Sequence, residues 1–184
     1  MNTQHLRAAV LLFSLAITSA TLTHAQSTLK ASGVATGKTM LASAQGQADY
    51  TTVLKLLTAS GLDKQANAAG QYTVFAPNNG AFDELGDATL QELLLPSSKS
   101  RLAKMLAYHV VKGRYTSDKL RDGQTLTNLT GQILVVHKQG DNITITDGRG
   151  TVADVIQRDV RATNGVIYTI NKVLEKNLPQ ADIR

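Results

Sequence analysis

The sequence of 184 residues contains no cysteine and no tryptophan, and only 4% of its residues are aromatic. A chain without cysteine has no disulfide bond, no thiolate metal site, no cysteine nucleophile and no lipid attached through an N-terminal cysteine. Its fold must therefore be stabilised by a hydrophobic core alone. The patterned part of the chain, about 130 residues, is enough for one such core and too short for two ordinary domains.

The excess of positive over negative charge is also small. The chain carries 19 lysine and arginine residues against 14 acidic ones, and removal of Arg7 with an N-terminal signal would leave 18 against 14, a net charge of +4. The basic residues form no continuous run, so nucleic-acid binding has little support. A net charge of this size mainly favours solubility, with weak attraction to acidic polysaccharides or membrane surfaces.

The one long apolar run lies near the N-terminus. Arg7 is followed by ten mostly apolar residues at 8–17, and a Thr-His-Ala motif ends at Ala25. A membrane-spanning helix needs about 20 residues, so a retained anchor is the weaker interpretation. The pattern predicts a signal peptide at 1–25, cleaved after Ala25, with Ala20 as a second cleavage point. We therefore expect a secreted or periplasmic protein without stable membrane insertion.

The remaining chain divides by its pattern. Residues 26–47 are rich in Ser, Thr, Ala, Gly and Gln, which predicts a flexible leader. Helical patterns then surround one apolar strand at 71–76 (QYTVFA), which Pro77 stops. After Asp122 the apolar period changes to two, in five strand-like runs separated by glycine-containing turns. Helices followed by antiparallel strands predict an α+β fold and disfavour a doubly wound nucleotide-binding fold.

Capping residues and apolar spacing define the two clearest helices. The first begins at Asp49 or Thr51 and ends at Gly61, which can adopt the left-handed conformation of a C-cap. The second follows Ser97 or Ser98, and its apolar residues recur at the spacing of one helix face. These residues, which we expect to be buried, are Leu102, Met105 and Leu106.

Three segments together resemble the signature segments of fasciclin-like domains. They are residues 73–82 (TVFAPNNGAF), 106–111 (LAYHVV) and 164–174 (NGVIYTINKVL). The resemblance covers residues 48–176 and leaves 177–184 as a C-terminal tail. Within the family, the chain resembles secreted, single-domain members of the bacterial type. The signature residues that carry it are Thr73, Val74, Phe75, Ala76, Pro77, Phe82, Asn164, Gly165, Val166 and Ile167.

The resemblance implies a helical layer packed on an antiparallel, β-sandwich-like wedge. It also implies that the strands of the first and third segments pair in the middle of the domain, where Val74, Phe75 and Ile167 would be among the most buried residues. We expect Phe82 to fold back onto this crossing. The Asn164-Gly165 pair fits a turn that needs positive φ.

The third segment departs from the family pattern at two positions. Family members commonly have His and Asp where this chain has Tyr168 and Asn171. In the first segment, Asn78, Asn79 and Gly80 stand where Thr and acidic residues are usual. These changes remove charge from places where family members could make polar contacts.

Tyr108 and His109 form the candidate partner-binding site. The pair resembles the segment implicated in integrin contact in animal members of the family. A histidine at a helix-to-strand junction more often hydrogen-bonds backbone groups and fixes the turn. We therefore predict a mainly structural role for His109, with partner contact by the pair as the alternative.

The sequence predicts no catalytic residue, metal site or cofactor. His109 and His137 remain after signal removal, and the carboxylates that could assist them lack helical ligand spacing. Those carboxylates are Asp147, Asp154 and Asp159. No Gly-x-Ser-x-Gly elbow or dinucleotide-binding loop is present.

Short polar motifs in the strand region have simpler explanations. Asp141-Asn142 and Asp147-Gly148 resemble fragments of a calcium loop, but hairpin turns explain them better. Asn128 and Asn142 head glycosylation sequons, whose use depends on the host.

Two functions follow from these observations. The leading interpretation is an exported adhesion or interaction module, without catalysis, that binds a cell-surface or extracellular-matrix protein or a polysaccharide. The alternative is a small-molecule carrier or unusual enzyme with a cleft between the helices and the β region. A flat face would favour the first, and a deep pocket lined by convergent polar groups would favour the second. The sequence shows neither the oligomeric state nor the partner.

Overall fold

A computed structural model describes residues 33–174. The predicted signal peptide at 1–25 and the tail at 177–184 lie outside these residues. The α-helices are α1 (Met40–Ala44), α2 (Thr51–Ser60), α3 (Asp63–Ala66), α4 (Asn79–Asp83), α5 (Asp87–Leu94) and α6 (Lys99–Tyr108). The strands are β1 (Tyr72–Pro77), β2 (Val110–Lys112), β3 (Thr125–Thr127), β4 (Ile133–Gln139), β5 (Asn142–Asp147), β6 (Val152–Ala162) and β7 (Gly165–Ile170). No helix within 33–174 is long and apolar enough to cross a membrane.

The two clearest helix predictions are confirmed. Helix α2 ends at Gly61, whose φ of 75° is left-handed and whose N–H reaches the carbonyl of Leu57. Helix α6 buries the three apolar residues that the spacing placed on one face. Both N-caps differ from the predictions: Tyr50 precedes α2 in place of a capping Asp49 or Thr51, and neither Tyr50 nor Ser98 makes a side-chain capping hydrogen bond.

The seven strands form one sheet in the order β2-β1-β7-β6-β5-β4-β3. All neighbouring pairs are antiparallel except β1 and β7, which are parallel and in register from Tyr72 with Gly165 to Pro77 with Ile170. The predicted pairing of these two strands in the middle of the domain is therefore confirmed. The fold is α+β, as predicted. Its sheet is mixed, however, and not antiparallel as the resemblance implied. The hydrophobic period of a strand determines which of its faces is buried, but it does not determine the direction of the strand.

The sheet curls until its two edge strands meet. A bridge joins Val111 of β2 to Asn128 beside β3, and the N–H of Leu129 donates to the carbonyl of Val110 at 2.8 Å. The curled sheet encloses the largest core cluster, which includes Phe75, Leu134 and Tyr168. A second cluster lies among α2, α4, α5 and α6. Meeting edges leave few free backbone groups for unwanted strand pairing.

Residues 33–47 differ from the flexible leader that composition predicts for 26–47. Ala35 bridges to Arg161 of β6, and the N–H of Thr36 donates to the Arg161 carbonyl at 2.9 Å. Met40 of α1 is buried in a third core cluster with Tyr50. The partner of Ala35 lies more than 100 positions away in the sequence. Only one apolar residue of α1 is buried, so this segment has no apolar period from which its packing could be predicted.

Two burial predictions are met and one is wrong. Phe75 is 0% exposed and Ile167 is 3% exposed, as expected for the central strands. Val74 is only partly buried, because the helices do not fully cover its face of the sheet. Phe82 is buried as well, but it packs in the helical cluster with Leu56.

Candidate functional site

His109 lies at the junction between α6 and β2, with both imidazole nitrogens engaged. Nδ1 is 2.8 Å from the carbonyl oxygen of Met105, one turn earlier in α6. Nε2 is 2.9 Å from the backbone nitrogen of Leu174, which follows β7. The carbonyl of His109 accepts from the N–H of Phe75 at 2.9 Å. The residue thus connects the helical layer, the central strand and the end of the described chain.

The two partners determine the protonation state of this ring. The carbonyl of Met105 can only accept and the N–H of Leu174 can only donate, so Nδ1 carries the proton and Nε2 is bare. Burial disfavours the charged imidazolium and lowers the pKa of His109 from 6.5 to about 4, against the opposing effects of the Met105 carbonyl and the Asp147 carboxylate. The ring is therefore neutral at physiological pH.

Tyr108 and His109, the candidate partner-binding pair, both lie inside the protein. They are 2% and 3% exposed, and their rings meet edge to face with centroids 6.4 Å apart. Tyr108 belongs to the core cluster inside the curled sheet. A protein partner could reach either side chain only after local opening of the domain.

The first signature segment supplies hydrogen bonds that join separate elements. The hydroxyl of Thr73 donates to the carbonyl of Gly113 at 2.8 Å and accepts from the N–H of Tyr115 at 2.9 Å. The side chain of Asn78 accepts from the N–H of Ala81, which caps α4. These residues position β1 and the helix after it.

Asn79 connects the same segment to the first long helix. Its amide oxygen accepts from the N–H of Thr52 at 3.0 Å, and its amide nitrogen donates to the carbonyl of Ala48 at 2.9 Å. The N–H of Thr52 is one of the donors that the start of α2 leaves without a helical partner. An uncharged residue thus has a full structural role at this position of the signature.

The third signature segment begins with a close backbone contact. Asn164 accepts from the N–H of Met40 at 2.8 Å and donates to the carbonyl of Ala66 at 3.0 Å. The positive φ expected at Asn164-Gly165 is absent. Glycine is required at 165 for space instead, because a Cβ there would lie 2.2 Å from the carbonyl oxygen of Tyr72.

Both departures from the family pattern have hydrogen-bond partners in the fold. Tyr168 stacks on Phe75 with ring centroids 5.5 Å apart, and its hydroxyl donates to the carbonyl of Tyr115 at 2.8 Å. Burial and the neighbouring Asp159 carboxylate raise the pKa of Tyr168. Asn171 accepts from the N–H of Asp154 at 2.7 Å. The two side chains bind parts of the domain to one another.

The three carboxylates considered as metal ligands each make separate structural hydrogen bonds. Asp147 accepts from the N–H groups of Arg149 and Thr151 across a hairpin turn, as predicted for Asp147-Gly148. Asp154 accepts from the side chain of Asn171. Within 33–174 no group of three acidic, histidine or cysteine residues is arranged to hold a metal ion.

Asp159 is a structural residue that the sequence reasoning missed. It is 0% exposed, has a φ of 50°, and lies where β6 shifts register against β7. Its carboxylate accepts from both the N–H and the hydroxyl of Ser117 at 2.9 Å and lies 3.1 Å from Arg161. Asp159 continues the alternation of the buried residues Ala153 and Val155, so it faces inward, and its bonds to Ser117 and Arg161 offset the burial of its charge.

The two sequons differ in exposure. Asn128 is 3% exposed, and its amide oxygen accepts from the N–H groups of Thr130 and Gln132 within a turn. Asn142 is exposed at the start of β5. A glycan could be attached to the folded domain at Asn142, whereas Asn128 is needed for its turn.

An apolar groove of about 420 Å³ opens between the helices and the sheet. Val74 and Ile167 form part of its floor, and helices α1, α2, α3 and α6 contribute to its walls. Among the wall residues are Leu54, Leu57, Leu62, Leu106 and Ala107. The described residues that line it include no Asp, Glu, Lys or Arg. The partial exposure of Val74 is explained by this groove.

Away from the helices, the outward side of the curled sheet presents a row of β-branched residues towards solvent. Thr125, Val135, Thr146 and Val152 are direct cross-strand neighbours on β3, β4, β5 and β6. Ile133, next on the same face of β4, is 52% exposed, and Val152 is 46% exposed. We call these five residues the outer β face. Their inward neighbours in each strand are buried, so the alternation of the sequence produces this surface.

Comparison with known proteins agrees with the fold and with the signature segments. Residues 48–176 match the Fasciclin domain. The chain is 37% identical over 138 residues to protein sll1483 of Synechocystis sp., covering 74% of this chain and 72% of that protein. It is 35% identical over 136 residues to immunogenic protein MPB70 of Mycobacterium bovis, covering 71% of this chain and 65% of that one.

An animal relative and a solved structure extend the comparison. The chain is 34% identical over 125 residues to transforming growth factor-beta-induced protein ig-h3 of Sus scrofa, covering 68% of this chain but only 17% of that protein. A FAS1 domain pair from the insect cell adhesion molecule fasciclin I has the same fold, with a TM-score of 0.68, 18% identity, and coverage of 76% of this chain and 51% of that one. The chain belongs to the fasciclin domain family.

Proposed function

We propose that this protein is an exported, non-catalytic interaction module that binds a cell-surface or extracellular-matrix protein. Family membership supports the class of function, and one structural relative comes from a cell adhesion molecule. The predicted signal peptide supports export. Fold alone does not fix function, so the proposal depends on a surface that suits a partner.

The outer β face is the observation that carries this proposal. Its five side chains are apolar or carry a threonine methyl group, and Ile133 and Val152 are about half exposed. Exposed apolar patches commonly mark protein interaction sites, and charge is depleted at the centre of such interfaces. A polysaccharide covers its surface with hydroxyl groups, which lose hydrogen bonds against an apolar face. A protein partner therefore suits this surface better.

Substitution of exposed residues tests the proposal. The mature chain, immobilised through its C-terminus, is incubated with the native exported fraction, and bound proteins are compared between variants. Ile133→Lys and Val152→Lys place a charge on the outer β face at positions that are already half exposed. Leu95→Lys is the matched control, since Leu95 is 51% exposed and lies on the helical side.

We expect both face variants to lose proteins that the wild-type chain and the Leu95 variant retain. Circular dichroism confirms that each variant is folded. Retention of every bound protein by Ile133→Lys and Val152→Lys, or equal loss with Leu95→Lys, would contradict a partner site on this face.

The apolar groove supports a second candidate function, a small-molecule carrier. Its volume of about 420 Å³ lies within the range of roughly 300–1,000 Å³ that is typical of small-molecule sites. Enzymatic use of the groove has less support. His109, which lines it, has both nitrogens occupied by backbone groups, so it has no free nitrogen to act as a base.

A further inference from the structure

One end of the apolar groove lies beside a lysine. Val110 of β2 lines the groove, and Lys112 is two residues further along the same face of that strand. Tyr72, which also lines the groove, is the direct cross-strand neighbour of Lys112. The Cβ atoms of such neighbours are about 4.5–5.5 Å apart. Lys112 is therefore placed at the mouth of the groove next to Tyr72.

The charge of Lys112 is not neutralised by a neighbour in the described structure. Lys112 is exposed, and no carboxylate of residues 33–174 lies within ion-pairing distance of it. The interior of the groove is different in character, since its described lining has no charged group and the buried His109 is neutral. The site thus combines an apolar interior with a positive charge at its edge.

We propose that the groove binds a free long-chain carboxylic acid, with the alkyl chain inside and the carboxylate at Lys112. This inference rests on the carrier function proposed for the groove and names its ligand class. An apolar lining favours transfer of methylene groups from water and offers a ligand few hydrogen bonds. A carboxylate suits the edge because it pairs with an ammonium group that remains in contact with water.

The size of the groove sets the expected chain length. With a water-sized group occupying about 30 Å³, a volume of about 420 Å³ holds a chain of roughly a dozen carbon atoms or more. Chains of ten to fourteen carbons are therefore the informative probes. Shorter acids leave part of the apolar wall in contact with water.

A series of acids tests the apolar part of the site. Isothermal titration of the full exported chain with sodium octanoate, decanoate and laurate, each below its micelle concentration, should give one binding site. Each added methylene group should tighten binding about threefold to fourfold. Laurate that fails to bind, or affinity that is independent of chain length, would overturn the proposal.

Filling the groove provides a second, independent test. Ala107→Trp and Val74→Phe place a larger side chain within the groove, whereas Ala103→Trp alters the same helix one turn away, outside the lining. We expect the first two variants to lose laurate binding by at least tenfold and the third to retain it. Two filling variants are used so that misfolding of one does not leave the outcome undecided. Unchanged binding in a folded filling variant would overturn the site.

The role of Lys112 is tested by comparing two head groups. Lys112→Gln should weaken laurate binding about twofold to fivefold, as expected for an exposed ion pair, and leave dodecanol binding unchanged. Lys104→Gln, an exposed lysine of α6, is the control. Equal affinity of the wild-type protein for laurate and dodecanol would overturn the assignment of the carboxylate to Lys112. The groove would then be a carrier site for uncharged long-chain molecules.

Two further measurements separate this proposal from its alternatives. Vesicles of phosphatidylcholine should not bind the protein, because the proposed ligand is a free acid; binding to vesicles without binding to laurate would overturn the proposal. Ile133→Lys should not change laurate affinity. A loss of laurate binding in that variant would place the ligand on the outer β face and contradict the groove.

Discussion

The imidazole Nε2 of His109 accepts a hydrogen bond of 2.9 Å from the backbone N–H of Leu174, 65 positions away in the sequence. Both residues are buried in the core. This bond connects the end of α6 to the chain that leaves the central strand β7. Since the other ring nitrogen is held by Met105, the geometry supports the structural role predicted for His109.

Replacement of His109 by alanine should destabilise the domain. The substitution leaves the carbonyl of Met105 and the N–H of Leu174 buried without partners, at about 1–3 kcal/mol for each group. Urea denaturation measures the loss in the free energy of unfolding. His137→Ala, at an exposed position of β4, is the control and should change it by less than about 0.5 kcal/mol. An unchanged melting temperature combined with lost partner binding would instead favour Tyr108 and His109 as a contact site.

The stability of the domain should fall as the pH decreases below about 6.5. The pKa of His109 is about 4 in the folded protein and near 6.5 in the unfolded chain, so the unfolded state binds more protons between these values. The contribution that the neutral His109 ring makes to the free energy of unfolding is complete above pH 6.5, and it is lost as the pH falls towards 4. The expected loss is about 2 kcal/mol between pH 7 and pH 5.

Urea denaturation at several pH values, applied to the wild type and to His109→Gln, isolates this contribution. The glutamine variant keeps an amide donor and acceptor but has no group that titrates in this range. Its stability should therefore depend less steeply on pH than that of the wild type. Identical slopes for the two proteins would show that His109 is not buried in the neutral form.

Gly165→Ala should destabilise the contact between β7 and β1. The added Cβ would lie 2.2 Å from the carbonyl oxygen of Tyr72, a backbone atom that cannot rotate away. We expect a loss of about 1–3 kcal/mol or more in the free energy of unfolding, as for other overpacked sites. Gly148→Ala is the control, since no atom lies within 4 Å of its added Cβ. Equal denaturation midpoints for the two variants would disprove the close contact.

Phe75→Ala should remove a large part of the core within the curled sheet. Phe75 is 0% exposed and stacks on Tyr168. Truncation of a fully buried aromatic residue costs about 3–5 kcal/mol. Leu95→Ala, at a position that is 51% exposed, should have little effect. A denaturation midpoint that does not move with Phe75→Ala would argue against the central position of β1.

Export should remove the first 25 residues. The basic Arg7, the short apolar run and the motif ending at Ala25 predict a product that begins at Gln26. Mass spectrometry of the exported protein measures its N-terminus directly. A membrane-associated product that still begins at Met1 would show that the apolar run is an anchor.

Local pattern was sufficient for much of the fold. The helix at 51–60 and its end at Gly61 follow from apolar spacing and from the one residue type that readily adopts the left-handed conformation. The alternation in β5 identifies Ile143 and Ile145 as its inward residues, which are 2% and 0% exposed. These features depend on neighbours within a few positions, and the sequence contains all the information that they need.

The remaining features arose only when distant segments met. The parallel pairing of β1 and β7, the space that requires Gly165, and the anchoring of residues 33–47 each depend on partners far away in the sequence. So does the apolar groove, which exists because the helices leave Val74 partly uncovered. The period of a strand or helix specifies which face is buried, but not which element will cover it or how completely. Tertiary packing determines which element covers each face and how completely, and it therefore determines where this protein can bind a partner or a ligand.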